Sequence, residues 1–121
     1  MGETRRIYLD DKAELFVTVD EIDYAWLMKW RWHATWNSTG KKFYATRNTR
    51  IRAEGRCVKV YIHKAILDRA GKKQPTEKHT IGDHLDGESS NCTRDNLRWA
   101  THSMNTRNVR GMHARQAALR L

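Results

Sequence analysis

The sequence predicts an α+β protein: a small antiparallel sheet with a Trp-rich helix, followed by a strand–loop–strand–helix unit. Three observations carry that reading. Short runs of β-branched and aromatic residues alternate with turn signals up to about residue 62. Four of the five tryptophans, Trp26, Trp30, Trp32 and Trp36, lie close together and can fill one core. His79–Arg110 reads as two short strands around a polar loop, then a helix.

Taken in order, Arg6–Leu9 and Leu15–Val19 read as strands, with Asp10-Asp11-Lys12 as the turn between them. Asp20 stands where a helix N-cap belongs, with Glu21 and Asp23 in the first turn. Ile22, Trp26 and Trp30 recur every four residues, so a helix over 21–30 is expected to bury that stripe. Strands follow at Trp32–Trp36, Phe43–Ile51 and Cys57–Ile62, separated by turns at 37–40 and 53–56. Alternation puts Tyr44, Arg50 and Arg52 on one face of the long strand, and Lys59 beside Tyr61 on its neighbour. A helix over His63–Ala70 with Gly71 at its C′ position precedes a polar stretch containing the single proline, Pro75. The expected organisation is a β-rich N-terminal lobe over 1–71, a linker at 72–78, a compact unit over 79–110 and a basic tail over 111–121.

At 121 residues the chain has room for one domain or two small lobes. Its formal charge of +9 is uneven: residues 41–80 hold twelve Lys and Arg against three Asp and Glu, and carry the whole excess. Such a basic block points to a polyanionic partner, nucleic acid first, and away from a membrane surface, since no long apolar or strongly amphipathic basic stretch accompanies it. Cys57 and Cys92 lack the spacing of a zinc knuckle and are read as reduced. With no apolar leader or span, the protein is expected to work in the cytoplasm, inside a host cell.

The chemistry concentrates in His79–Arg110. Thr80-Ile81-Gly82 forms a short strand, Asp86-Gly87 a turn, and Asn96–Ala100 a returning strand. Thr101 caps a helix from His102 to about Val109. Asp83-His84, Asp86-Gly87, Asn91, Asn96-Leu97-Arg98 and Asn105 follow one another in this order. This series resembles the HNH endonucleases (the ββα-metal or His-Me finger nucleases), most of all the phage- and intron-encoded homing and nicking members. Val19–Trp32 and Tyr61–Leu67 resemble, more loosely, segments that precede such motifs. The third motif residue here is Asn105 rather than His, which makes the chain an H-N-N variant.

Hydrolysis of a phosphodiester needs a base for water, a cation for the developing charge, and positioning. His84 is the expected general base, because an imidazole titrates near neutral pH. Asp83 and Asn105 are the expected ligands of one divalent metal ion. A carboxylate with an amide oxygen suits Mg²⁺ or Mn²⁺ and suits zinc poorly. Asp83 and His84 can share a site only where their strand ends and bends. The resemblance implies that Asn96 orients His84 by tying the loop together. His63, at a position that resembles one in the family, is expected to be structural. Tyr44, Arg47, Arg50, Arg52, Lys59, Arg98 and Arg107 are the expected contacts to double-stranded DNA.

The function expected is a metal-dependent DNA endonuclease that nicks one strand, because one such motif holds one active site. Two rivals stand beside it: a basic DNA-binding module with an inactive motif, and an RNase using the same motif. Target sequence and assembly, whether monomer, dimer or part of a larger phage machine, are left open by the sequence.

Overall fold

The computed structural model of the protein describes residues 2–38, 42–51 and 55–108. Arg52, the side chain of Arg50 and the tail over 111–121 lie outside the described residues. The architecture is α+β, and the described residues form three helices and three small antiparallel sheets. Strands β1 (Thr4–Tyr8) and β2 (Phe16–Asp20) make a hairpin and run into helix α1 (Glu21–Leu27). Strands β3 (His33–Trp36), β4 (Phe43–Ile51) and β5 (Arg56–Tyr61) form a meander and lead into α2 (Ile62–Arg69). An exposed loop over 72–78 then leads to β6 (Ile81–His84). A 3₁₀ turn (Arg94–Asn96) precedes β7 (Leu97–Ala100), which pairs with β6, and helix α3 covers 102–108. The N-terminal region thus holds two separate sheets where the sequence suggested one.

Local chemistry sets most of these boundaries. In β2 Val17 and Val19 are fully buried while Phe16, Thr18 and Asp20 are half-buried, the alternation of a strand with one covered face. Helix α2 stops where Gly71 takes φ +73°, a left-handed conformation that a side chain disfavours. The Gly71 and Lys72 amides close that end on the carbonyls of Asp68 and Leu67, at 3.1 Å each.

Helix α1 departs from its expected orientation. Ile22 is 66% exposed, and the fully buried side chains are Asp23 and Leu27. The helix ends at Leu27, so Trp30 folds back outside it and meets Trp26 edge-to-face at 5.0 Å. The reason is electrostatic. Asp23 is the bidentate partner of Arg94, at 2.7 and 3.0 Å, and also pairs with Arg69 at 3.3 Å. A buried carboxylate must face its partners, and this one turns the helix by one residue relative to the apolar stripe. Asp20 is the N-cap residue, yet its side chain does not cap α1; it accepts from the Arg94 amide at 2.9 Å.

One apolar cluster spans the chain. Val17, Val19 and Leu27 meet Ile62, Ile66 and Leu67 of α2, then Cys92 and Leu97 of the C-terminal unit. Each large aliphatic side chain so buried contributes about 1.5–3 kcal/mol. The backbone crosses the same boundary: Thr18 donates to the Ser90 carbonyl at 2.7 Å and accepts from the Cys92 amide at 2.8 Å. No helix among the described residues is long and apolar enough to cross a membrane.

Asp23→Ala leaves Arg94 and Arg69 without their carboxylate at a half-buried site. It is expected to cost about 2–4 kcal/mol, near the lower end for breaking a buried pair, because both arginines keep some solvent. Urea unfolding of the variant beside wild type measures this.

Candidate functional site

Strand β6 ends at His84, where the Gly87 amide bonds the His84 carbonyl at 2.8 Å and Gly87 takes φ +74°. The strand bends there, and Asp83 and His84, which a continuing strand would send to opposite faces, both line one cavity of about 400 Å³. Asn105 and Asn108 reach the same cavity from α3, and Tyr44, Tyr61 and Thr35 close it from the β3–β4–β5 sheet. Lys42 and Lys64 are its cations.

Asp83 is buried, directly across the ladder from Arg98, whose Nε donates to Oδ2 at 2.9 Å. Among the described residues, Oδ1 has only a long contact, 3.4 Å, from the Asn108 amide, which also donates to the His84 carbonyl at 3.0 Å. Asn96 holds the loop. Its Oδ1 accepts from the Asp86 amide at 3.0 Å, and its Nδ2 donates to Asp86 Oδ1 and to the Asn91 carbonyl, each at 2.9 Å. Its own carbonyl accepts from Leu85 at 2.8 Å, so both strands leaving the site are tied at one residue. Burial works against the Asp86 carboxylate, but bonds from Asn91, the Glu88 amide and Asn96 outweigh it and hold the group below its ordinary range.

His84 is 6% exposed, its ring 4.9 Å from that of His63 and 6.1 Å from Tyr44. Its Nε2 lies 3.8 Å from the sulfur of buried Cys92. Burial, then the nearby Lys42 charge, lowers its pKa to about 4 against the pull of Asp83 and Asp86, so the ring is neutral at pH 7 and has a lone pair to accept a proton. His63 sits at the start of α2, hydrogen-bonded to the backbone of Gly82. Burial and then His84 depress its pKa to about 3. Its ring lies so close to Gly82 that a Cβ there would stand 2.2 Å from Cδ2. Only glycine fits this position.

The structure therefore brings Asp83, His84 and Asn105 to one cavity, places Asn96 beside it in the loop rather than in its lining, and adds residues that sequence reasoning did not single out. Asn108 carried a signal: three residues beyond Asn105, it shares that helix face. Tyr61 and Lys64 lie in the Tyr61–Leu67 stretch of looser resemblance, which assigns a role to neither; Lys42 and Cys92 carried no signal, because the tertiary fold alone places them. The expected DNA contacts scatter. Tyr44 lines the cavity, Lys59 and Arg107 are exposed, and Arg98 is engaged by Asp83. Arg47 points to the opposite face of β4 from Tyr44, with its guanidinium 4.4 Å over the Trp30 ring.

Among the described residues, no group of three or more His, Cys, Asp and Glu could hold a metal ion. Among the described residues the cavity is lined by one carboxylate, Asp83, whose Oδ1 has no short hydrogen bond, and by neutral oxygen-bearing side chains that include Asn105 and Asn108. So sparse a set of hard donors fits a cation that keeps most of its waters, Mg²⁺ or Mn²⁺, and does not fit zinc. Comparison with protein-family models, with curated proteins and with solved structures finds no match.

Two outcomes test this packing. Gly82→Ala forces the His63 ring aside and is expected to destabilise by about 1–3 kcal/mol, the usual cost of overpacking, seen as a lowered thermal midpoint. Acid should act through the two histidines. In the unfolded chain both rings take up protons below about pH 6.5; in the folded protein they do so only near pH 3 (His63) and pH 4 (His84). Stability present above pH 6.5 is therefore lost as pH falls through that window, by up to about 1.4 kcal/mol per pH unit for each ring. Thermal midpoints from pH 7 to pH 4.5 should fall, and fall less steeply in His63→Gln.

Proposed function

We propose that the protein is a metal-dependent DNA endonuclease of the HNH type, a ββα-metal nuclease that nicks one strand of duplex DNA. One observation carries the reading: a neutral imidazole, a buried carboxylate and two helix-borne amides line one cavity with two lysines, at the end of an antiparallel strand pair that a helix follows. The order Asp83-His84, Asn96, Asn105 along those elements is the order that resembles the family.

In this reading His84 takes a proton from the attacking water, and its neutral state at pH 7 suits that task. Asp83 and Asn105 would hold one Mg²⁺ or Mn²⁺, and such an ion would supply positive charge near the scissile phosphate and the leaving 3′ oxygen. Lys42 and Lys64 attract the phosphate backbone into the cavity. Asn96 acts at one remove: it fixes the loop and so the direction of His84. His63 and Tyr44 pack around the imidazole and limit its rotation.

One observation favours a second reading, a DNA-binding module without catalysis: Arg98 already neutralises Asp83. Supercoiled plasmid separates the two. With Mg²⁺ or Mn²⁺, wild type is expected to yield open circles, EDTA to abolish them, and His84→Ala to lower the rate by at least about 10²-fold, the usual worth of a positioned base. Bound but uncut plasmid under every metal would overturn the enzyme and leave the module. Linear product would mean paired active sites, and cleavage of RNA in preference to DNA would reassign the substrate.

A further inference from the structure

We infer that Cys92 is a positioning residue for His84: its thiol fixes the imidazole with the proton on Nε2 and the lone pair on Nδ1. The inference rests on the nuclease reading for its consequence, but not for its geometry. Cys92 is 1% exposed and its sulfur has two partners, the Ser89 carbonyl at 3.5 Å and His84 Nε2 at 3.8 Å. A carbonyl oxygen only accepts, so the sulfur must donate its proton to Ser89. A thiol has one proton. Toward His84, therefore, the sulfur can only accept, and the imidazole must present an N–H there. Burial, with Asp86 nearby, pushes the thiol up to about pKa 12, so it holds its proton throughout the working range. A neutral imidazole has one N–H as well. With that N–H on Nε2, Nδ1 is the nitrogen that can accept a proton from water.

The backbone supports the same arrangement. The Cys92 amide is bonded to Thr18 in β2, and Ser89 and Cys92 both belong to the loop that Asn96 ties down. The backbone that carries the sulfur is thus anchored to the first hairpin. A ring so held presents the same nitrogen at each encounter with substrate, which is what a general base requires.

Two variants separate this role from plain packing. Cys92→Val keeps an apolar side chain of similar size and removes the acceptor. Cys92→Ser keeps a group that donates once and accepts, and loses apolar bulk. Nitrogen-15 NMR of the histidine rings at pH 7.5 reads the proton position directly, without substrate or metal. Wild type should show a protonated Nε2 and an unprotonated Nδ1 on His84, with the Nε2 proton slow to exchange with water. In Cys92→Val that exchange should quicken at least about fivefold, the hold of one ordinary hydrogen bond, while Cys92→Ser stays nearer to wild type. The nicking rate should follow the same order, falling in kcat rather than rising in KM.

A proton on Nδ1 in wild type would overturn the inference. So would unchanged exchange in Cys92→Val, or a serine variant that behaves worse than the valine one in either readout. A protein that cleaves nothing still gives the NMR result, so failure of the nuclease reading and failure of this one are told apart.

Discussion

The Asp23 carboxylate is the constraint around which the rest is arranged. It is fully buried, and a buried charge is tolerated only with partners in good geometry. Those partners come from far away in sequence: Arg94 from the turn before β7 and Arg69 from the last turn of α2. Satisfying one carboxylate therefore fixes the first helix, the second helix and the C-terminal unit relative to one another. Asp20 extends the tie by accepting the Arg94 amide. The pair need not add net stability over an apolar replacement to have this effect; its directionality specifies one docking where apolar contact alone would allow several.

The same tie explains why a cavity exists. Helix α2 is held against β4 and β5 on one side and β6 and β7 on the other, and its first turn carries His63 into the space between them. The Tyr44 and Tyr61 rings, projecting from the sheet, meet His63 at 5.7 Å each. The site is thus a seam between two sheets, walled by aromatic rings on one side and by short polar side chains on the other. Such a seam keeps most of each imidazole away from bulk solvent while Lys42, Lys64 and the α3 amides keep one side polar.

Local features of the sequence were legible where local forces decide. Strand β4 runs from Phe43 to Ile51 as its composition indicates, α2 ends at the glycine that ends it, and the bend after His84 sits at Asp86-Gly87. The order of Asp83, His84, Asn96 and Asn105 was visible too, since those residues lie on consecutive short elements. What could not be read was set by distant partners. The 21–30 stripe suggested an inward Ile22, but Arg94, some seventy residues away, turned Asp23 inward instead. Arg47 was expected to contact DNA, yet its guanidinium lies over the Trp30 ring, a partner that only the tertiary fold supplies. Cys92 gave no sign at all, because what matters about it is a neighbour that only the folded loop supplies.

The contact between His63 and Gly82 constrains the protein's history as well as its structure. The imidazole and the glycine backbone share a space with no slack, so neither position can drift alone. A larger residue at 82 is admissible only after the side chain at 63 shrinks. Shrinking it first opens a void beside His84, the residue on which the proposed chemistry depends. Each single step passes through a damaged intermediate, so the two positions are expected to be inherited as a unit. A glycine one residue before an Asp-His pair, paired with a histidine at the start of the preceding helix, is thus a joint signature by which distant kin of this chain can be sought when overall similarity has faded.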